Sequence, residues 1–359
     1  MHTGSADLPL HGGKAPRWLF KRMVRMSGAI AGLIVEEHGH EEFMKRISDP
    51  YWFQAFSCAI GFDWHSSGTT TVTMGALKEA LNTGELGIMV AGGKGKASRR
   101  TPEEIRAIAE RFDADAESLI HASRMSAKVD SAALHDGHQI YHHTMVVDEK
   151  GRWAVIQQGL MEERGYARRY HWLHGVRSFS GNPRSGMHGT DVGEALDMSA
   201  EESGEARKVS LDLVRDGPEH IMNEISAISP QRTLFNYDVP VKRARHLTMP
   251  RRIDWTALKM AYEFQPRNYD ELLAIKGIGP ATVRALALVS ELIYGEEPSW
   301  KDPVRYSFAV GGKDGVPYPV NKRAMDEATD FMEDVLNGIK LGDKERGDAM
   351  RRLRSLIPA

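Results

Sequence analysis

Between Lys128 and His174 the chain places six of its fifteen histidines, His135, His138, His142, His143, His171 and His174, beside Asp130, Asp136 and the amides of Gln139, Gln157 and Gln158. Imidazole nitrogens and carboxylate oxygens crowded into one stretch suit a divalent cation, Mn²⁺ or Mg²⁺ first and Zn²⁺ as a further candidate. Such an ion polarises a phosphoryl oxygen and activates water, so phosphodiester hydrolysis is the chemistry these residue types suggest. A lone histidine on a strand is ordinarily a hydrogen-bonded core or surface residue. The density of the cluster carries the reading, not any one member.

Two strands are expected to position these groups. His138 to Val147 and Arg152 to Gly159 have strand composition, and Asp148-Glu149-Lys150-Gly151 has turn composition, which predicts a β-hairpin. With a four-residue loop, Val147 pairs with Arg152 and His142 lies opposite Gln157, so His138, His142 and Gln157 share one face, and a slip of one residue would undo this. Asp136 precedes the strand and Asp130 ends the preceding helix. The expected catalytic set is therefore Lys128, Asp130, Asp136, His138, His142 and Gln157, and the expected metal ligands are Asp130, Asp136, His138, His142, Asp63 and His65. Asp63 and His65 stand two apart in FDWHSSGTT, where they could equally precede a helix cap. Asp148-x-Lys150 after Asp130 formally matches a D…(D/E)xK nuclease pattern, but it falls in the turn, and His142-His143 imitates an HNH hairpin that has no convincing partner helix.

Phosphate recognition has its own candidates. A buried strand from Glu85 to Ala91 runs into Gly92-Gly93-Lys94-Gly95-Lys96-Ala97-Ser98-Arg99-Arg100, where glycines and Lys94, Lys96, Arg99 and Arg100 can act together on a phosphate. The pattern is not GxxxxGK[ST]. Thr101-Pro-Glu-Glu104 reads as a capping box. His11-Gly-Gly-Lys14 before a helix from Pro16 to about Glu37 is a weaker signal of the same kind. Arg164 to Trp172 alternates cations and aromatics as a nucleic-acid groove does, with Arg168 and Arg169 as phosphate ligands.

With 47 basic and 49 acidic residues the chain has no overall basic bias, so nucleic-acid binding must come from local patches. Its one cysteine, Cys58, lies in an apolar run and reads as a buried hydrophobe. No apolar stretch is long enough for a membrane span and no signal peptide is evident, which points to a cytoplasmic protein without a membrane partner. Length and composition suggest a mixed α+β fold: residues 1–235 as a domain with a hairpin-containing sheet packed by helices, then a boundary rich in Pro and cations (Lys242, Arg243, Arg245, Arg251, Arg252), then a mostly helical domain, 236–359.

Tyr269 to Gly295, YDELLAIKGIGPATVRALALVSELIYG, resembles the helix-hairpin-helix DNA-binding motif, with the hairpin Lys276-Gly277-Ile278-Gly279. Glycines there let the backbone approach a phosphate, and the N–H groups of the next helix face it, without reading bases. Lys276 and Val283 replace a proline and an alanine common in the motif. Across most of the chain, TGSADLPLHGGKAPRWLF, FDWHSSGTT, GGKGKASRRTPEE, KVDSAALHDGHQIYHH and GGKDGVPYP resemble the family catalogued as domain of unknown function number 763, a name that assigns no activity. Together these features predict a metal-dependent, sequence-independent nuclease acting on DNA in repair or processing, with RNA as a second candidate substrate. The competing expectation is a non-catalytic DNA-binding accessory protein of a repair or helicase complex, whose His/Asp cluster is a structural hydrogen-bond network.

Overall fold

Met145 and Val147 point to one side of the strand they share and Val146 to the other, and both sides are buried; a strand apolar on both faces must lie between two layers. The computed structural model, which describes residues 2–5, 15–62, 66–228 and 248–304, has that arrangement. The expectations for 11–14, Asp63, His65, Lys242, Arg243, Arg245 and the boundary near 235 fall outside these residues.

The central sheet has the order β1-β7-β6-β5-β4-β2, with β1 (His2–Ser5), β2 (Ile88–Lys94), β4 (Gln139–Asp148), β5 (Trp153–Met161), β6 (Tyr166–Leu173) and β7 (Gly186–Gly189). Its neighbours run antiparallel except β1 and β7. A small second sheet joins β3 (Leu134–His135), β8 (Glu194–Asp197) and β9 (Ser299–Lys301).

One face of the central sheet, through Val146, Ala154 and Ile156, packs on α1 (Arg17–His38), α2 (His40–Ile47), α3 (Pro50–Ala59) and α4 (Ser67–Leu81). Helix α1 buries Met23, Met26, Ile30 and Ile34, the three-and-four spacing that predicts it. The other face, through Val155, Tyr170 and Trp172, packs on α6 (Thr101–Phe112), α7 (Ala116–Lys128), α8 (Gly204–Asp216) and α9 (Pro218–Ala227). Onto the same cluster fold Leu258 of α10 (Trp255–Phe264), Leu272 and Leu273 of α11 (Tyr269–Ala274) and Leu286 of α12 (Pro280–Tyr294). The described part of the C-terminal half is thus built onto the sheet, in a mixed α+β fold. The short helix α5 (Lys96–Arg99) follows β2.

The hairpin forms, but one residue out of the expected register. Val147 pairs with Trp153, not Arg152, so His143 lies opposite Gln157 and His142 opposite Gln158. The cause is Asp148. Its Oδ1 accepts from the backbone N–H of Lys150 (3.0 Å) and Arg152 (2.9 Å), its Oδ2 accepts from Arg152 Nε (2.7 Å), and its own N–H bonds to the Arg152 carbonyl, so the strands close around three loop residues instead of four. A register irregularity between Ile140 and His142 further separates His138 from the regular alternation.

The capping box also resolves differently. Thr101 Oγ1 donates to the Ser98 carbonyl, and Glu104 reaches outward to Lys78 Nζ and the Gly92 N–H. The preceding short helix α5 has already turned the chain, leaving Thr101 inside the helix.

Because Asp148 both shapes the turn and sets the register, Asp148→Ala should cost about 2 kcal/mol in urea-induced unfolding monitored by circular dichroism. A loss under about 0.5 kcal/mol would remove Asp148 from that role.

Candidate functional site

Alternation on β4, β5 and β6 divides the histidine-rich stretch between the two faces of the sheet. Towards α7 point His143, Gln157, Arg168, Tyr170 and Trp172; towards α3 and α4 point His142, Gln158, Arg169 and His171. The two sets are separated by the sheet itself.

On the α7 face each aspartate is fully engaged. Asp130, at the turn that follows α7, accepts at Oδ1 from Arg184 Nε and at Oδ2 from Gln157 Nε2 and Trp172 Nε1 (2.8 Å to Trp172). The Gln157 oxygen accepts from His143 Nδ1 (2.7 Å), which leaves His143 Nε2 to accept from Ser123 Oγ (2.8 Å). Asp136 accepts at Oδ2 from Arg168 Nη1 (2.9 Å) and the Tyr170 hydroxyl (2.7 Å), and at Oδ1 from the His138 N–H (2.9 Å). Arg168 also forks onto Asp302, at 3.0 and 2.6 Å. Burial opposes ionisation of Asp136, but Arg168, His138 and Tyr170 overcome it and hold the carboxyl well below the usual range.

The expected metal ligands Asp130, Asp136, His138 and His142 therefore do not converge. Both carboxylates have their lone pairs committed to an arginine and two other donors or more, and the one-residue register change sends His142 to the opposite face from Asp130 and Gln157. Among the described residues no group of three or more His, Cys, Asp or Glu is arranged to hold a metal ion. Among the described residues, Asp130, Asp136, His138 and His142 do not form a site for a divalent cation. Lys128 turns from Asp130 to line a surface groove of about 670 Å³ with His121, Arg124, Ser131, Leu273 and Ala274.

On the α3/α4 face Gln158 Nε2 donates to the Ser67 carbonyl (2.8 Å) and to the Tyr141 hydroxyl, while its oxygen accepts from Thr70 Oγ1. Arg169 Nε donates to His171 Nε2 (2.8 Å), and His171 Nδ1 donates to the Ile47 carbonyl (3.2 Å). His142 is 1% exposed and neither ring nitrogen has a hydrogen-bond partner.

Of the expected nucleic-acid ligands, Lys94, Lys96, Arg99, Arg100 and Lys276 are exposed. Arg168 and Arg169 are 0% exposed and cannot touch a backbone phosphate; the alternation of cations and aromatics marks a strand buried on both faces, not a groove. In the turn between α11 and α12, Gly277 has φ 91° and a Cβ there would sit 2.7 Å from the Ala257 Cβ, whereas Gly279 is extended with its nearest neighbour at 3.7 Å. The two glycines are not equivalent: Gly277 is required by the fold and Gly279 is not. Ile278 is buried beneath them. Cys58 is buried, as its apolar surroundings in the sequence suggest.

Arg184 and Asp302 complete the buried network and had no signal in the sequence beyond the need of Asp130 and Asp136 for counter-charges, since each stands alone in loop composition. With the geometry placed, the molecule is a three-layered α+β protein with a charged, hydrogen-bonded sheet interior. It belongs to the family described as Protein of unknown function (DUF763), whose model matches residues 4–320. No curated protein and no solved structure matches the chain.

Burial sets a pH dependence. It pushes His142 to about 3, helped by His143, Lys94 and Lys78, and His135 to about 4; it lowers His143 too, and takes His171, beside Arg169, well below its ordinary value. Folded values below the unfolded value of about 6.5 mean that these histidines contribute stability fully above that pH and lose it as pH falls towards 4. Three to four protons should be taken up on unfolding near pH 5.5, a slope of roughly 4–5 kcal/mol per pH unit. Urea unfolding at pH 7.5, 6.5 and 5.5 measures it, and equal stability at the last two would refute the neutral network.

Proposed function

We propose that this protein binds DNA along the phosphate backbone without reading base sequence, as an accessory factor of a repair or helicase complex in the cytoplasm. The observation that carries the reading is the segment from the end of β2 through α5: Lys94, Lys96, Arg99 and Arg100 are exposed within seven residues, and none has a carboxylate partner among the described residues. Gly95, exposed at φ 60° with nothing within 4 Å of where a Cβ would sit, leaves the backbone open to an approaching phosphate, whereas buried Gly92 at φ 89° is required by its packing against the His143 carbonyl.

A second element supports it. The turn from Ile275 to Gly279 joins α11 to α12 with Lys276 and Gly277 exposed, and Pro280 opens a helix of 15 residues. We read it as a helix-hairpin-helix: the first-turn N–H groups of α12 have no intrahelical acceptor and favour a phosphate. Close by, Arg124 and Lys128 line the groove between α7 and α11, whose one acid, Glu117, is paired with Arg106 at 3.2 Å. Among the described residues no helix is long and apolar enough to cross a membrane.

Binding is preferred to metal-dependent hydrolysis because Asp130 and Asp136, the two carboxylates expected to hold a metal in the histidine-rich stretch, are buried and closed by arginines. Labelled single-stranded, double-stranded and flap DNA, and RNA, incubated with Mn²⁺, Mg²⁺ or EDTA should be bound and not cut. Cleavage that needs the metal and vanishes in Asp136→Asn would restore the nuclease reading. On duplex DNA, replacing Lys94, Lys96, Arg99 and Arg100 by alanine should make the dependence of log K on log[salt] shallower by up to about 0.9 per lost contact. An unaltered slope would show that the loop does not touch the backbone. Lys276→Glu should weaken binding by roughly five- to tenfold at low salt, uniformly across sequences. A sequence-dependent loss in filter binding would count against a backbone grip.

A further inference from the structure

The groove between α7 and α11 encloses about 670 Å³, within the roughly 300–1,000 Å³ of sites that take small ligands. One wall is a single face of α7: His121, Arg124 and Lys128 recur at helical spacing, and Ser131 continues the row into the turn that follows. Arg124 is exposed and Lys128 half-buried, and neither has a carboxylate partner among the described residues. Burial lowers the Lys128 ammonium below its ordinary value, with no acid beside it to restore the charge. The one acid of the lining, Glu117, is turned to Arg106 at 3.2 Å. The floor is apolar, with Ile120 and Leu273 buried. At the end away from Ser131 stands exposed His121, its ring set edge-on to Phe179 with centroids 5.9 Å apart.

Position joins this groove to the turn from Ile275 to Gly279. Ala274, on the rim, is the last residue of α11 and stands two residues before exposed Lys276, while Ser131 lies in the turn that packs against α12. The groove therefore opens towards the surface on which the DNA-binding reading places the phosphate backbone. Packed helices lie about 8–10 Å apart, so a cleft between two of them is narrower than a duplex and admits one strand. Arg124 and Lys128 stand about 6 Å apart along the helix axis, a step comparable to that between successive phosphates of an extended strand. A bare anion would make no use of the apolar floor, and an apolar ligand none of the two cations. A nucleotide uses both, through its phosphate and its base, and imidazole rings are among the side chains on which unpaired bases stack.

We infer that the groove between α7 and α11 is a binding site for an unpaired nucleotide. A single strand leaving the duplex at the Ile275–Gly279 turn lays successive phosphates on Lys128 and Arg124 and stacks a base on His121 above Ile120 and Leu273. The inference rests on the DNA-binding reading and adds to it a substrate class: DNA in which a single-stranded segment adjoins a duplex. Every base has a face to stack, so the preference is for structure and not for sequence.

Fluorescence anisotropy of the full chain tests this with a blunt duplex and with the same duplex carrying a short thymidine tail at its 3′ or its 5′ end. The wild type should hold one of the tailed duplexes roughly tenfold more tightly than the blunt one, the contribution of one stacked base. His121→Ala, and Arg124→Ala combined with Lys128→Ala, should each bring that ratio towards one, a change that loss of charge elsewhere on the surface would not produce. Equal affinity of the wild type for tailed and blunt duplexes overturns the groove and leaves the backbone-binding reading standing, whereas binding to neither overturns both. A wild-type ratio retained in either variant, or poly-glutamate displacing the tailed duplex as well as oligothymidylate does, also overturns the site.

Discussion

Asp136, Arg168 and Asp302 form a chain of buried charges on which the arrangement of the molecule depends. Asp136 precedes β4, Arg168 lies on β6 and Asp302 follows β9, so one guanidinium ties the turn before the hairpin, the middle of the sheet and the end of the described C-terminal segment. Such a cluster need not stabilise the fold relative to apolar residues of similar volume, because desolvation offsets most of the attraction. Its effect is on uniqueness. A slip of one residue in β6 would turn Arg168 away from both aspartates and leave three buried charges unpaired, at about 3–5 kcal/mol for each broken pair. The register of the sheet and the docking of the C-terminal helices are therefore specified by the same side chain.

What the sequence made legible was what periodicity governs. The spacing of Met23, Met26, Ile30 and Ile34 and the two strand-like runs around Asp148 are local properties, and the corresponding helix and hairpin formed. What it hid depended on single side chains. Turn composition over 148–151 does not reveal that Asp148 closes the strands one residue early, yet that residue decides which face receives His142 and which His143. Likewise, Arg168 and Arg169 look alike in sequence next to Tyr170 and Trp172. Only tertiary packing distinguishes a buried β strand bearing arginines from an exposed cationic groove.

The density of histidines has a physical explanation in this interior. A sheet covered on both sides that carries Asp130, Gln157, Gln158 and Arg169 needs neutral partners able both to donate and to accept, because an unmet buried polar group is costly. His143 does this between Gln157 and Ser123, and His171 between Arg169 and the Ile47 carbonyl. Ligand-type residues crowded in sequence thus need not be ligands. Alternation distributed them over two faces, where most became links in hydrogen-bond chains.

Charge pairing then separates the cations of this protein by what they can meet. Arg168 and Arg184 are matched in charge by carboxylates within the fold. Lys94, Lys96, Arg99 and Arg100 are exposed, and water screens them cheaply, so none needs a carboxylate partner from the fold. Arg169 belongs to neither group: it is as buried as Arg168 and as unmatched as Lys96. Among the described residues it meets only neutral acceptors, His171, His188, Gln54 and Thr70, and the face of Phe53, so a hydrogen-bonded shell spreads its charge where Arg168 has two carboxylates.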